Sequence, residues 1–415
     1  MSTQIKDDAS LLARFSKTRF AYFWMYLVDE PFLSLFALMS FILRKDLGAS
    51  AFQLAVLVTV KPVISVFSFY WSANLSKSRK NIVSNLTNAW ILARLPFLFF
   101  PFINNIWFLI FSVGVYQLFY RAGIPAMIEI LKLNMTKPKR EKIFSLVYVL
   151  SFAESICLGI FVGKILDFNS SSWKMLFSLF AFVSLSSIYF LRKVTVPIID
   201  VEEEESQSLR QRIVKPWQTC IHLMRSRPDF ARFQWGFMFG GVGLMIMAPA
   251  LAIYYAENLS LSHENITIGR YIWMGCGILL STYFWKRALS KVSTNIILSW
   301  ILIGFSIFAF VLLFAKMSIY FLYLSFFVYG VAQAGSHLLW NLSGTLFSGD
   351  GDSTVFSGIN ILMVGIRGAV APFIGGVLCY YFGPVIVLII GAFFCITGVF
   401  YMLFKKSVPF EVYSS

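Results

Sequence analysis

From Phe20 onward, apolar residues run in blocks long enough for a helix to cross the hydrocarbon core of a bilayer, and each block stops at a polar gap. With roughly 20 residues needed per crossing, the pattern lays out twelve spans, near 20–43, 51–71, 82–103, 106–129, 143–163, 173–191, 230–256, 268–285, 295–314, 318–344, 355–381 and 384–404. Lipid offers no partners to backbone N–H and C=O groups, so these blocks are expected to be α-helices. The gap after the sixth span differs from the rest. It carries the run Glu202, Glu203, Glu204, Glu205 and then Arg210, Arg212, Lys215, Arg225 and Arg227. The chain therefore reads as a six-span half at 1–191, a linker at 192–229 and a second six-span half at 230–415.

Composition agrees with the pattern. With 58% hydrophobic, 18% aromatic and 13% charged residues, the chain carries more apolar surface than one soluble core can hide. The net charge of +15 would suggest nucleic acid in a soluble protein, but here it has a topological explanation. Lys and Arg crowd the N-terminal segment, the even-numbered gaps and the linker, whereas the odd-numbered gaps hold only Arg44, Lys45, Lys164, Lys174 and Lys316. That asymmetry places both termini in the cytoplasm and removes the need for a nucleic-acid partner. No small-residue cleavage site follows the first block, so the first span is expected to be retained. The five cysteines are scattered and form no framework.

The halves echo one another. Phe69-Tyr70-Trp71 followed by Leu75-Ser76-Lys77 after the second span mirrors Tyr283-Phe284-Trp285 followed by Leu289-Ser290-Lys291 after the eighth. Such repeats indicate two pseudo-symmetric six-helix halves in parallel order, and the fold class is an all-α membrane protein of twelve helices.

Six plus six spans, a basic linker, inside termini and a repeated basic loop together resemble the major facilitator superfamily over essentially the whole chain. In that family the loop after span two reads Gly-x-Leu-Ala-Asp-Arg-x-Gly-Arg-Lys. Here Trp71-Ser72-Ala73-Asn74-Leu75-Ser76-Lys77-Ser78-Arg79-Lys80 keeps the closing basic pair and lacks the acid and both glycines. Tyr120-Arg121-Ala122-Gly123 is similar to a shortened form of the family's Arg-before-Gly pattern in span four. The resemblance implies two halves rocking around a midplane site, often powered by a proton.

Ionisable groups inside spans cost a few kcal/mol each on insertion scales, so those present call for partners or water. Asp29 and Glu30 lie midway along span one, with Tyr22 and Tyr26 on nearly the same face and Pro31 just after, which predicts a kinked acidic midpoint. Lys61, Arg94 and Arg121 are the cations of spans two to four, and Asp29, Glu30 and Glu154 are their natural counter-charges. Static ion pairs and charge switches are both open to them. Asp29, Glu30, Arg121 and Glu154 form the candidate coupling set. In the second half Gln333, His337 and Asn341 make a polar stripe in span ten, and Asn360 and Arg367 share a face of span eleven. An Arg with no acid in its own span suits a carboxylate or phosphate, and pairing with a distant carboxylate is the alternative. Tyr26, Arg94, Gln333, His337, Asn341, Asn360 and Arg367 are the candidate substrate contacts.

His222, His263 and His337 are far apart in sequence, and no His-Glu-x-x-His, Gly-x-Ser-x-Gly or phosphate-cradling glycine loop occurs. No catalytic constellation, metal site or cofactor is expected. The expectation is a monomeric, multi-pass carrier of a bacterial inner membrane, a proton-coupled symporter or antiporter for a small polar, anionic solute. Export of drugs or lipophiles on the same fold is the alternative, favoured by the aromatic content.

Overall fold

The computed structural model describes residues 2–75, 81–197, 209–348 and 353–404. Most of the basic stretch after span two, residues 76–80, and the acidic run 202–205 lie outside the described residues. The described residues form helices and no strands: α1 (Ser2–Phe36), α2 (Met39–Lys45), α3 (Ala51–Leu75), α4 (Ile82–Arg94), α5 (Ile106–Asn134), α6 (Lys137–Phe168), α7 (Ser172–Leu185), α8 (Ser187–Leu191), α9 (Leu209–Ser226), α10 (Pro228–Ile253), α11 (His263–Thr267), α12 (Met274–Leu289), α13 (Thr294–Leu313), α14 (Ile319–Ser348) and α15 (Ser353–Phe404).

Among the described residues nine helical stretches are long and apolar enough to cross a membrane, and one of them, Val355–Leu403, has the length of two spans. Gly383 (φ 78°, ψ 167°) interrupts α15, and Pro384 opens the next helix at the position where a missing N–H costs nothing. Ala51–Ile64, the start of α3, is a shorter apolar helix, and the α11–α12 stretch occupies the place of the expected eighth span, consistent with twelve. Helix starts follow local chemistry. Asn105 caps α5 by accepting from the N–H groups of Trp107 and Phe108, and Pro228 sits in the first turn of α10.

Pro31 does not break α1, because a proline removes one i→i−4 bond and the flanking turns keep theirs. The first span is interrupted instead at Ala37 and Leu38, where the Leu38 N–H turns to the carbonyl three residues back.

The chain divides into two compact units. Unit 1 comprises Met1–Leu47, Ile64–Ser206 and Ser262–Glu264; unit 2 comprises Gly48–Val63, Gln207–Leu261 and Asn265–Ser415. Unit 1 has a core of aromatic rings around Phe32, Phe97, Tyr116 and Phe177, where Phe97 and Phe32 meet edge-on at 4.8 Å. Unit 2 is held by close helix approach. A Cβ added at Gly375 would meet the Ile246 carbonyl at 2.1 Å, one at Gly330 the Met274 carbonyl at 2.1 Å, and one at Gly368 the ring of Pro62.

Candidate functional site

In unit 1, α1 brings Asp29 to Arg94 at the end of α4 and Ser184 near the end of α7. Arg94 Nη2 donates to Asp29 Oδ1 at 2.7 Å and Arg94 Nε donates to the same oxygen at 3.1 Å. Ser184 Oγ lies 2.7 Å from both Asp29 Oδ1 and Arg94 Nε, and the third guanidinium nitrogen reaches the Trp90 carbonyl at 3.3 Å. The guanidinium carbon sits 3.2 Å from the centroid of the Trp90 ring, one turn earlier on the same helix. The Trp90 indole N–H in turn donates to the Ser184 carbonyl at 3.1 Å. Arg94 is 0% and Asp29 2% exposed, so the pair is a sealed clamp of three helices with its polar groups largely satisfied.

Glu30 is the next residue, yet its surroundings differ, because adjacent side chains on a helix point about 100° apart. It is half-buried and accepts a hydrogen bond from Ser155 of α6. Ser155 Oγ also lies 2.9 Å from the Ser151 carbonyl, and its one proton serves one acceptor at a time. Glu154 precedes Ser155 and is half-buried, with one carboxylate oxygen lacking a hydrogen-bond partner. Arg121 of α5 likewise has a buried Nε without one. Among the described residues no ion pair forms at Glu30, Glu154 or Arg121. Glu129 pairs with Lys132 at 3.7 Å, one turn along α5.

Beside the clamp lies a small open cleft lined among others by Met25, Tyr26, Asp29, Trp90, Tyr120 and Met127. Tyr26 packs on Tyr22 at 4.7 Å and Tyr120 stacks on Tyr116 at 5.1 Å, and the walls mix aromatic rings with Met and aliphatic side chains. Asp29 is the single acid of this lining, and its charge is balanced by Arg94.

In unit 2 a polar seam runs between α10 and α15. Gln234 donates to the Asn360 amide oxygen, and Asn360 donates to Ser343 of α14 at 2.5 Å. Two turns along α15, Arg367 Nη1 donates to the Phe237 carbonyl at 2.6 Å, and its guanidinium lies 5.1 Å from the Phe237 ring centroid. Arg367 is buried, its Nε has no hydrogen-bond partner, and among the described residues no carboxylate pairs with it. It rests flat on Gly241, where a Cβ would come within 2.1 Å of Cζ. On α14, Gln333 and His337 bond to each other at 2.5 Å; His337 and Asn341 are exposed.

Tyr26, Asp29, Glu30, Arg94, Arg121 and Glu154 lie in unit 1, and Gln333, His337, Asn341, Asn360 and Arg367 lie in unit 2. Sequence reasoning missed Ser184, Trp90, Gln234, Ser343 and Phe237. Trp90 carries a usable signal, since it lies one turn before Arg94 on one helix face. Gln234 was also visible as a lone amide in an apolar run.

A sequence model of the Major Facilitator Superfamily matches residues 20–279, well over half of the chain. Comparison with curated proteins gives no match. Among solved structures the chain is similar to the nucleoside transporter NupG, with a TM-score of 0.67 at 14% identity over 95% of this chain and 100% of that one. It is similar to a bacterial homologue of the human lysosomal transporter Spinster, solved inward-facing and unoccupied, with a TM-score of 0.65 at 12% identity over 95% and 99% of the two chains. A bacterial homologue of the human drug peptide transporters gives 0.58 at 12% identity, covering 94% and 96%. At such identities the likeness is one of fold.

Proposed function

Because the chain belongs to the Major Facilitator Superfamily, and so is a multi-pass membrane transporter of a small solute rather than an enzyme, we propose that it is a proton-coupled carrier of a polar, anionic organic solute working by alternating access. The observation that supports this reading best is the contrast between two neighbouring acids. Asp29 is locked to Arg94 in a sealed site, whereas Glu30 is half-buried, bonded to a hydroxyl and free of any ion pair among the described residues. A carboxyl in Glu30's position can take up and give back a proton without breaking an ion pair. Glu30 is therefore assigned the coupling role, with Glu154 beside it as the second acid. Asp29 and Arg94 are assigned the role of holding α1, α4 and α7 in register.

The anionic character of the solute is argued from Arg367 and Arg121. Each keeps a buried guanidinium nitrogen without a hydrogen-bond partner, and a guanidinium presents its donors in a fork that fits a carboxylate or phosphate. Gln333, His337, Asn341 and Asn360 are assigned to the polar part of the solute and Tyr26 to its apolar part. The protein is taken to act as a monomer in a bacterial inner membrane, with both termini in the cytoplasm and no nucleic-acid partner.

A second reading, export of lipophiles, draws on the largely apolar cleft of unit 1. One experiment separates the two: thermal unfolding of purified protein against organic acids, phosphorylated metabolites, nucleosides, peptides, sugars and cationic drugs. Stabilisation by one anionic class, lost in Arg367→Ala, supports anion transport. Stabilisation by lipophilic cations alone, retained in that variant, supports export.

A further inference from the structure

His263 opens α11 and is 1% exposed, although it belongs to the short connection between the seventh and eighth spans. Both ring nitrogens meet carboxylates. Nδ1 lies 3.1 Å from Asp167 Oδ1 and Nε2 lies 3.1 Å from Asp46 Oδ2. Asp167 also accepts the backbone N–H of His263 at 2.7 Å and that of Glu264 at 2.9 Å, and Phe41 covers the imidazole edge-on at 5.4 Å. Ser262–Glu264 forms part of unit 1, while Leu261 and Asn265 on either side belong to unit 2. The chain enters unit 1 for three residues and leaves it again. The approach is constrained, since Ser260 adopts φ 48°, a left-handed conformation that residues other than Gly seldom take.

From this geometry we propose that His263 is a proton-binding site, a clasp that fastens the connection at 262–264 to Asp46 and Asp167 when the imidazole is charged and releases it when the proton leaves. A neutral imidazole has one N–H and one lone pair, so one of the two carboxylates would face a lone pair. An imidazolium donates to both and offsets one of their two negative charges. The other charged groups nearby are Lys45, which precedes Asp46 and lies over Phe41 at 5.4 Å; Arg44 beside it; Lys164 of α6; and Glu264, which reaches Lys164 at 4.0 Å. The sign follows. The clasp holds while the imidazole carries its second proton and loosens as pH rises and that proton leaves. Asp46 follows the first span, Asp167 the fifth and His263 the seventh, all odd-numbered gaps, so the three meet on one face of the membrane.

The test uses the full chain in detergent micelles and no transported solute, so it is separate from the assignment of Glu30. The chain has three histidines, and 15N-histidine NMR of the wild type and of His263→Gln assigns the ring signals by difference. Hydrogen exchange of the peptide covering 259–267, corrected for intrinsic rates, is compared at pH 5.5 and 7.5. The proposal expects two protonated ring nitrogens at acid pH, loss of one proton as pH rises and exchange increasing on the order of tenfold in step, since one linked proton allows up to about tenfold per pH unit. Asp46→Asn should exchange fast at both pH values, and it serves as the second variant if His263→Gln does not fold. A single neutral tautomer throughout, exchange indifferent to pH, or wild-type pH dependence in Asp46→Asn would overturn it.

Discussion

Arg94 Nη2 stands 2.7 Å from Asp29 Oδ1 with both side chains shut away from solvent, and the same guanidinium lies 3.2 Å over the ring of Trp90. Two unlike charges are thus neutralised inside an apolar unit, with Ser184 Oγ hydrogen-bonded to both partners. Removing one partner leaves the other buried and uncompensated, which costs about 3–5 kcal/mol. Asp29→Asn and Arg94→Met are each expected to lower the apparent melting temperature strongly in detergent. The pair of changes together should lose less than the two separate losses added, as a double-mutant cycle on thermal stability will show.

Ser184→Ala is expected to cost less, about 1–2 kcal/mol, because the ion pair persists and only hydroxyl bonds are lost. The measurement is again thermal stability, with solute exchange retained.

Gly241→Ala and Gly330→Ala are expected to part company. The methyl at Gly330 would run into the Met274 backbone carbonyl, which cannot move without shifting a helix, and a loss of about 1–3 kcal/mol follows. At Gly241 the obstacle is the far end of the Arg367 side chain, which can swing aside. Stability should change little there, while the stabilisation conferred by anionic ligands in thermal unfolding should fall to the level of Arg367→Ala.

Much of the fold is legible in the chain because the bilayer imposes one ruler on every span; Gly383-Pro384 marks the turn between the last two spans as plainly as any loop. The partners of the charged residues are less so. Four acids and three cations lie in the first five spans, and which acid meets which cation depends on helix rotation and packing, which hydropathy does not encode. Asp29 and Glu30 look alike in sequence and differ only because one points at α4 and α7 and the other at α6. Ser184 is hidden among the neighbouring serines Ser186 and Ser187. His263 looks isolated because its carboxylates lie 96 and 217 residues away along the chain.

The central claim is that Glu30, and not its neighbour Asp29, carries the coupling proton. The most direct measurement reconstitutes wild type and Glu30→Gln into proteoliposomes and follows a radiolabelled solute from the stabilising class in two assays, uptake driven by a pH gradient and solute exchange without one. The account predicts that Glu30→Gln loses gradient-driven accumulation and keeps exchange. Accumulation at the wild-type level in Glu30→Gln would contradict it.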